Sequence, residues 1–196
     1  MEKLLKKYKE LCAIPYVKGE EPYSDISYHL PKLKEYAEKS LIIVELGTRR
    51  GESTVALMAG LPDKLYSFDL VRWDDVDELE DLADESYLFY SFTKANSLEV
   101  EIPKCDLLFI DTFHSAVQLS KELELHAGKV GKWIALHDTF TFWEEAEPGY
   151  EAVANLSVNC KEGLRYAIEP FLDAHPEWKV VYNTSINNGL MILERV

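Results

Sequence analysis

The sequence has no apolar run approaching the ~18 uninterrupted residues that a membrane-crossing helix requires. Its opening, Met1-Glu2-Lys3-Leu4-Leu5-Lys6-Lys7, lacks the apolar core and cleavage site of a secretory leader. Both absences predict a cytoplasmic protein with no membrane partner. The cysteines, Cys12, Cys105 and Cys160, are odd in number and far apart, which argues against a disulfide framework and a Cys-x-x-Cys metal site. Basic residues are scarce beside acidic ones, 21 Lys and Arg against 35 Asp and Glu, for a formal net charge of −14. Nucleic acids are bound largely by neutralising phosphates with Lys and Arg, so no nucleic acid is expected as a partner. The Lys3, Lys6, Lys7, Lys9 face lies opposite Leu4, Leu5, Tyr8 and Leu11 on a first amphipathic helix and reads as a solvated face. What remains is a chain of 196 residues, 47% apolar, long enough to bury a real core. We expect a single domain over 1–196, with a helical extension over 1–40 and a ligand-binding core over 41–196.

The core opens with Leu41-Ile42-Ile43-Val44, too short for a helix of its own and suited to a parallel strand buried on both faces. Glu45-Leu46-Gly47-Thr48-Arg49-Arg50-Gly51 follows without a gap, and Ser53 and Thr54 then open a helix. Gly47 and Gly51 allow a sharp turn and close approach to a ligand. Two ligand classes are missing their signals. A dinucleotide fingerprint needs a glycine two residues after the first so that the pyrophosphate meets bare backbone, and that position is Arg49. No Gly-Lys-Ser/Thr triplet follows Gly51, so the loop is no phosphate cradle either. Farther on, Lys64-Leu65-Tyr66-Ser67-Phe68-Asp69 is a strand ending in a carboxylate, placed to accept hydrogen bonds from both hydroxyls of a ribose.

The flanking segments follow the same alternation. Ser24 or Asp25 caps a helix towards Ala37, with Pro31 setting its true start nearer His29. The acidic run over 74–85 carries Val76, Leu79, Leu82 and Ala83 at helical spacing and reads as a solvated helix on the sheet. Tyr87 to Thr93 is the third strand and leads to Asn96 and Ser97. Cys105 to Ile110 is a buried strand ending in Asp111, with His114 three residues on and Ser115 capping the next helix. Lys132 to Leu136 is a strand ending in His137-Asp138. A helical segment is expected from Pro148 to about Cys160 and another ending near His175. Trp178–Tyr182, the turn Asn187-Asn188-Gly189 and Leu190–Leu193 form a hairpin signal. The pattern predicts an α/β fold, a doubly wound, mostly parallel seven-stranded Rossmann-like sheet with an antiparallel C-terminal strand. On that sheet, Asp111, His114, His137 and Asp138 converge at the strand ends beside the glycine loop and Asp69.

The motif Glu45-x-Gly47-x-x-x-Gly51 resembles the first motif of class I S-adenosylmethionine-dependent methyltransferases. The run Phe109 to His114, the helix carrying Glu122, and Gly131 to Thr139 look like the branch that contains macrolide sugar O-methyltransferases and cephalosporin-pathway homologues. The likeness spans roughly 41–139. It implies S-adenosylmethionine as cofactor, contacted by Glu45, Gly47, Thr48, Gly51, Ser53, Asp69, Asn96, Ser97 and Asp111, and methyl transfer to oxygen of a small molecule or sugar. It also implies His114 as base, with Asp111 and Asp138 completing the catalytic set, and a divalent metal, magnesium or manganese, on Asp111, His137 and Asp138. A homo-oligomer is compatible with the resemblance. One departure stands out: that branch carries Glu-Asp where this chain has His137-Asp138, and imidazole suits magnesium poorly. Two other readings stay open, a non-catalytic cofactor-binding accessory protein and a metal-dependent hydrolase or hydroxylase-like protein using the four clustered residues.

Overall fold

The structure, a computed structural model, describes residues 1–16, 22–149 and 161–196. The helix expected from Pro148 to Cys160 falls mostly outside them. Seven strands form one sheet in the order β3-β2-β1-β4-β5-β7-β6. They are β1 (Ile42–Leu46), β2 (Lys64–Asp69), β3 (Phe89–Lys94), β4 (Cys105–Ile110), β5 (Val130–His137), β6 (Trp178–Thr184) and β7 (Leu190–Arg195). The pairs from β3 across to β5 are parallel, and β7 runs antiparallel between β5 and β6. The chain leaves β1 towards one edge and later returns at β4 towards the other. The crevice where open α/β sheets hold ligands therefore lies at the carboxyl ends of β1 and β4.

Alternation along the strands builds the two faces. Ile43, Leu107, Ala135 and Ile192 face α1 (Glu2–Cys12), α2 (Leu30–Ala37), α3 (Glu52–Ala59) and α4 (Asp75–Glu85). Val44, Leu46, Leu108, Ile110, Ile134 and Leu136 face α5 (Ala116–His126) and α6 (Arg165–Ala174). A buried two-sided strand must be apolar at consecutive positions, and β4 is so at Leu107, Leu108, Phe109 and Ile110. Glu45 breaks that rule in β1 and is fully buried. The first two helices share the α3 face of the core, with Leu4, Leu30 and Leu33 all fully buried.

Most element boundaries match the sequence pattern, and the exceptions have local causes. Gly51, at φ +82°, caps α3, so Ser53 and Thr54 sit inside its first turn instead of opening it. The third strand begins at Phe89 instead of Tyr87, because Tyr87 takes a left-handed φ of 58° and stands 97% exposed. Pro31 occupies the first turn of α2, which a short 3-10 turn over Ser27–His29 precedes. Ser115 caps α5 by accepting from the Gln118 N–H at 3.2 Å. No helix among the described residues is long and apolar enough to cross a membrane.

Candidate active site

The glycine loop is folded against its neighbours by close backbone contacts. Gly47 has φ +89°, and a Cβ there would lie 1.9 Å from the Asp111 carbonyl oxygen, so only glycine lets the end of β1 pass the end of β4. Arg49 stands between the glycines at φ 47°, a left-handed conformation that a residue with a Cβ adopts at a cost. Its side chain turns outward, 3.6 Å from Asp25. Asp69, at the end of β2, holds this loop. Its Oδ2 accepts from the N–H groups of Thr48 (2.9 Å) and Arg49 (2.7 Å), and its Oδ1 from that of Val71 (2.9 Å).

Glu45 supports the loop from within the core. Its carboxylate accepts from the hydroxyls of Ser53 (2.6 Å), Thr54 (2.7 Å) and Ser67 (2.6 Å). Burial raises its pKa and the three hydroxyls oppose the rise, leaving it at about 7. Glu45 and Ser53, both expected at the cofactor, thus have their side chains committed to each other. Thr48 is buried, and its backbone carbonyl accepts from the Gly51 N–H at 2.8 Å.

On the far side of β4, Ser97 donates its hydroxyl to Glu122 at 2.6 Å and accepts from the Gln118 amide at 3.0 Å. Glu122 is fully buried; burial raises its pKa against the hydrogen bonds from Ser97, Gln118 and Thr112. Asn96 accepts from the Leu98 N–H at 3.0 Å and keeps its amide at a half-buried position, 3.4 Å from the exposed Glu99. Of the two residues expected near an adenine, Asn96 keeps an accessible side chain and Ser97 is built into a buried network.

The ends of β4 and β5 bring Asp111, His114, His137 and Asp138 together, with one ligand-capable atom from each within 4.8 Å of the others. His114 Nε2 lies 3.2 Å from Asp111 Oδ1 and 3.4 Å from Asp138 Oδ2. His137 Nδ1 lies 3.2 Å from Asp111 Oδ1 and 3.4 Å from Asp138 Oδ1. Asp138 adopts φ 58°, a left-handed turn at the strand end, and Phe142 N–H donates to its carbonyl at 3.1 Å. Backbone strain of this kind persists where surrounding contacts over-determine it. Burial works against charging His114. Hydrogen bonds to Asp111 and Glu147 and the charge of Asp138 overcome it and raise the ring to about 10. Burial likewise opposes a charge on His137, and the charges of Asp111 and Asp138 raise it to about 9. Against the push of burial, the two rings hold Asp111 below the usual carboxylate range, whereas burial prevails at Asp138 and raises it.

Around this cluster, Glu147 and the contact of His29 escaped sequence reasoning. Glu147 Oε2 accepts from His114 Nδ1 at 2.9 Å, and Phe142 stacks on the same ring at 5.0 Å and 12°. His29 meets His137 edge-on at 5.4 Å, and burial lowers its pKa to about 4. The N-terminal segment is tied down by the β6–β7 turn. Tyr16 donates to Asn188 Oδ1 at 2.6 Å, and the Tyr28 N–H donates to Asn187 Oδ1 at 2.9 Å. The Asn187 amide donates to the Ser24 carbonyl at 3.2 Å.

No protein-family model matches the sequence, and a search of curated proteins returns no match. Solved structures do match. A methyltransferase of Podospora anserina bound to S-adenosylhomocysteine is 13% identical, with a TM-score of 0.60 over 100% of this chain and 88% of that one. A protein of Corynebacterium glutamicum is 12% identical, with a TM-score of 0.65 over 100% of this chain and 90% of that one. The magnesium protoporphyrin IX methyltransferase of Synechocystis is 13% identical, with a TM-score of 0.59 over 98% and 94%. At such identities the likeness is one of architecture, and function has to be argued from the site. The chain carries the Rossmann-like fold of the class I methyltransferases.

Proposed function

We propose that this chain transfers a methyl group from S-adenosylmethionine to an oxygen atom of a small molecule or sugar. The observation that carries the reading is the backbone tie between the Gly47–Gly51 loop and Asp69, set beside Asp111 at the point where the strand order reverses. A carboxylate offers about four acceptor positions, and Asp69 has committed three to Thr48, Arg49 and Val71. The remaining one fits a single ribose hydroxyl, which narrows the expectation of two. Asn96 is the side chain available on the adenine side. The neighbours that share the fold include methyltransferases solved with S-adenosylhomocysteine or S-adenosylmethionine, an N-methyltransferase among them, and the choice of oxygen rests on the resemblance of the runs over 109–114 and 131–139 to the sugar O-methyltransferase branch.

S-adenosylmethionine supplies an electrophilic methyl group on a sulfonium. The chain's own tasks are to align an acceptor hydroxyl with that group and to make it nucleophilic. The cluster of Asp111, His114, His137 and Asp138 stands beside the loop for the second task. Two devices are available there: His114 as a base through Nε2, once its ring, raised to about 10, has given up its proton, or a cation held among the four residues. They exclude one another because both use Nε2. A hydroxyl reaching that nitrogen would have to displace one of the two carboxylates bracketing it at 3.2 and 3.4 Å, and this favours the cation.

Calorimetric titration with S-adenosylmethionine and S-adenosylhomocysteine tests the cofactor half. We expect one molecule bound per chain in the micromolar range, about 8 kcal/mol, and at least tenfold weaker binding by Asp69→Ala. A folded wild-type protein that binds neither would end the methyltransferase reading.

A further inference from the structure

We propose that Asp111, His114, His137 and Asp138 form a mononuclear site for a first-row transition-metal dication of the zinc kind, selected against the magnesium that the sequence resemblance implies. The inference shares its residues with the activity proposed above, and its test needs no turnover.

The donor set does not fit magnesium. That ion demands oxygen ligands and near-ideal octahedral geometry, with bonds of about 2.0–2.1 Å and adjacent ligands therefore about 2.9 Å apart. Here two of the four donors are imidazoles, which suit zinc, iron, nickel and copper. The close contacts across the cluster are 3.2, 3.4, 3.2 and 3.4 Å. Bonds of about 2.0–2.1 Å to a tetrahedral zinc put ligand atoms about 3.3 Å apart. The ligand type selects the class of ion, and these four contacts agree with it, the remaining separations lying within 4.8 Å.

Two further observations point inward to a ligand. Asp138 is 6% exposed, and its Oδ1 has no hydrogen-bond partner among the described residues. It faces His137 Nδ1 at 3.4 Å without a hydrogen bond; a buried acceptor left so is costly, and a cation would satisfy it. Glu147 holds His114 Nδ1 at 2.9 Å, the outer carboxylate that fixes which ring nitrogen faces a metal.

The decisive experiment uses the full chain, purified without chelator, stripped and then titrated separately with Zn2+, Co2+ and Mg2+. We expect one Zn2+ or Co2+ per chain, visible absorption bands from the cobalt form, and no displacement of cobalt by a large excess of magnesium. His137→Ala and Asp138→Asn should lose the bands while the far-UV circular dichroism stays native. Glu147→Gln should weaken zinc binding about 10–100-fold. His137→Glu, which restores an all-oxygen pair beside Asp111, should weaken zinc and admit magnesium. Failure of the wild type to take up zinc or cobalt, equal affinity for magnesium, or bands that persist in both His137→Ala and Asp138→Asn would overturn the proposal. S-adenosylhomocysteine titrated into the same stripped protein separates the two readings. A protein that binds S-adenosylhomocysteine but takes up neither zinc nor cobalt sinks this inference alone, and one that takes up the metal but binds no cofactor sinks only the methyltransferase reading.

Discussion

Glu45 and the Asp111–Asp138 pair are carboxylates at the same edge of one sheet, Glu45 and Asp138 buried and Asp111 partly so, and they are satisfied in opposite ways. Glu45 is enclosed by three hydroxyls, neutral groups that donate to it, bring no charge and offer a cation nothing. Asp111 and Asp138 face two imidazoles, groups that exchange protons and bind metals. A hydroxyl cage makes a carboxylate a fixed part of the scaffold, whereas an imidazole cage leaves it open to exchange with the medium. The difference separates the residue that shapes the loop from those that face chemistry.

The strongest way to break this contrast is to remove one imidazole. His114→Ala should lower methyl transfer by about 10²–10⁴-fold while affinity for S-adenosylhomocysteine, followed by calorimetry, stays within a few-fold. A collapse of cofactor affinity would instead put His114 on the loop's side of the divide.

A smaller effect sharpens the Glu45 side. Its folded-state pKa, about 7, lies above the ordinary 4.5, so the native state keeps a proton that the unfolded chain gives up. The associated stability is full below pH 4.5 and is lost as pH rises through about 7, in total roughly 3 kcal/mol. Urea midpoints should therefore fall over that window in the wild type and lose this component of their slope in Glu45→Gln. An unchanged slope would mean that the hydroxyls keep the carboxylate charged.

The smallest effect concerns the loop between the two regions. Arg49→Gly should relieve the left-handed backbone at φ 47° and raise stability by up to about 1 kcal/mol. Loss of stability in a thermal melt would show that the Arg49–Asp25 contact outweighs the strain.

Local rules reached the elements and stopped at their partners. The run Lys64–Asp69 is a strand over those same residues, and the acidic helix buries Val76, Leu79, Leu82 and Ala83 as its spacing requires. The hairpin turn was equally legible, because Asn187, Asn188 and Gly189 all take positive φ, which those residue types tolerate. The convergence of four titratable residues followed from knowing that parallel strands end at one edge. What no local pattern encodes is contact between distant loops. Glu147 reaches His114 from 33 residues away, and His29 reaches the Asn187 carbonyl from 158. Ser53 and Thr54 misled for a related reason: their type suits a cap, but a buried carboxylate across the turn was the stronger acceptor.

The tie between the N-terminal segment and Asn187-Asn188 also imposes an order in time. During synthesis, when folding begins from the N-terminal end, Tyr16, Ser24 and Tyr28 are made long before the two asparagines that hold them. Helices α1 and α2 can settle on α3 as soon as it emerges, and Ser24 and Asp25 can then meet Glu52 and Arg49, yet the ties of Tyr16, Ser24 and Tyr28 to the asparagines wait until β6 and β7 pair. The wall of the site beside His137 is therefore among the last parts of the molecule to form. A nascent chain stalled before the final hairpin would carry its chemistry open on that side.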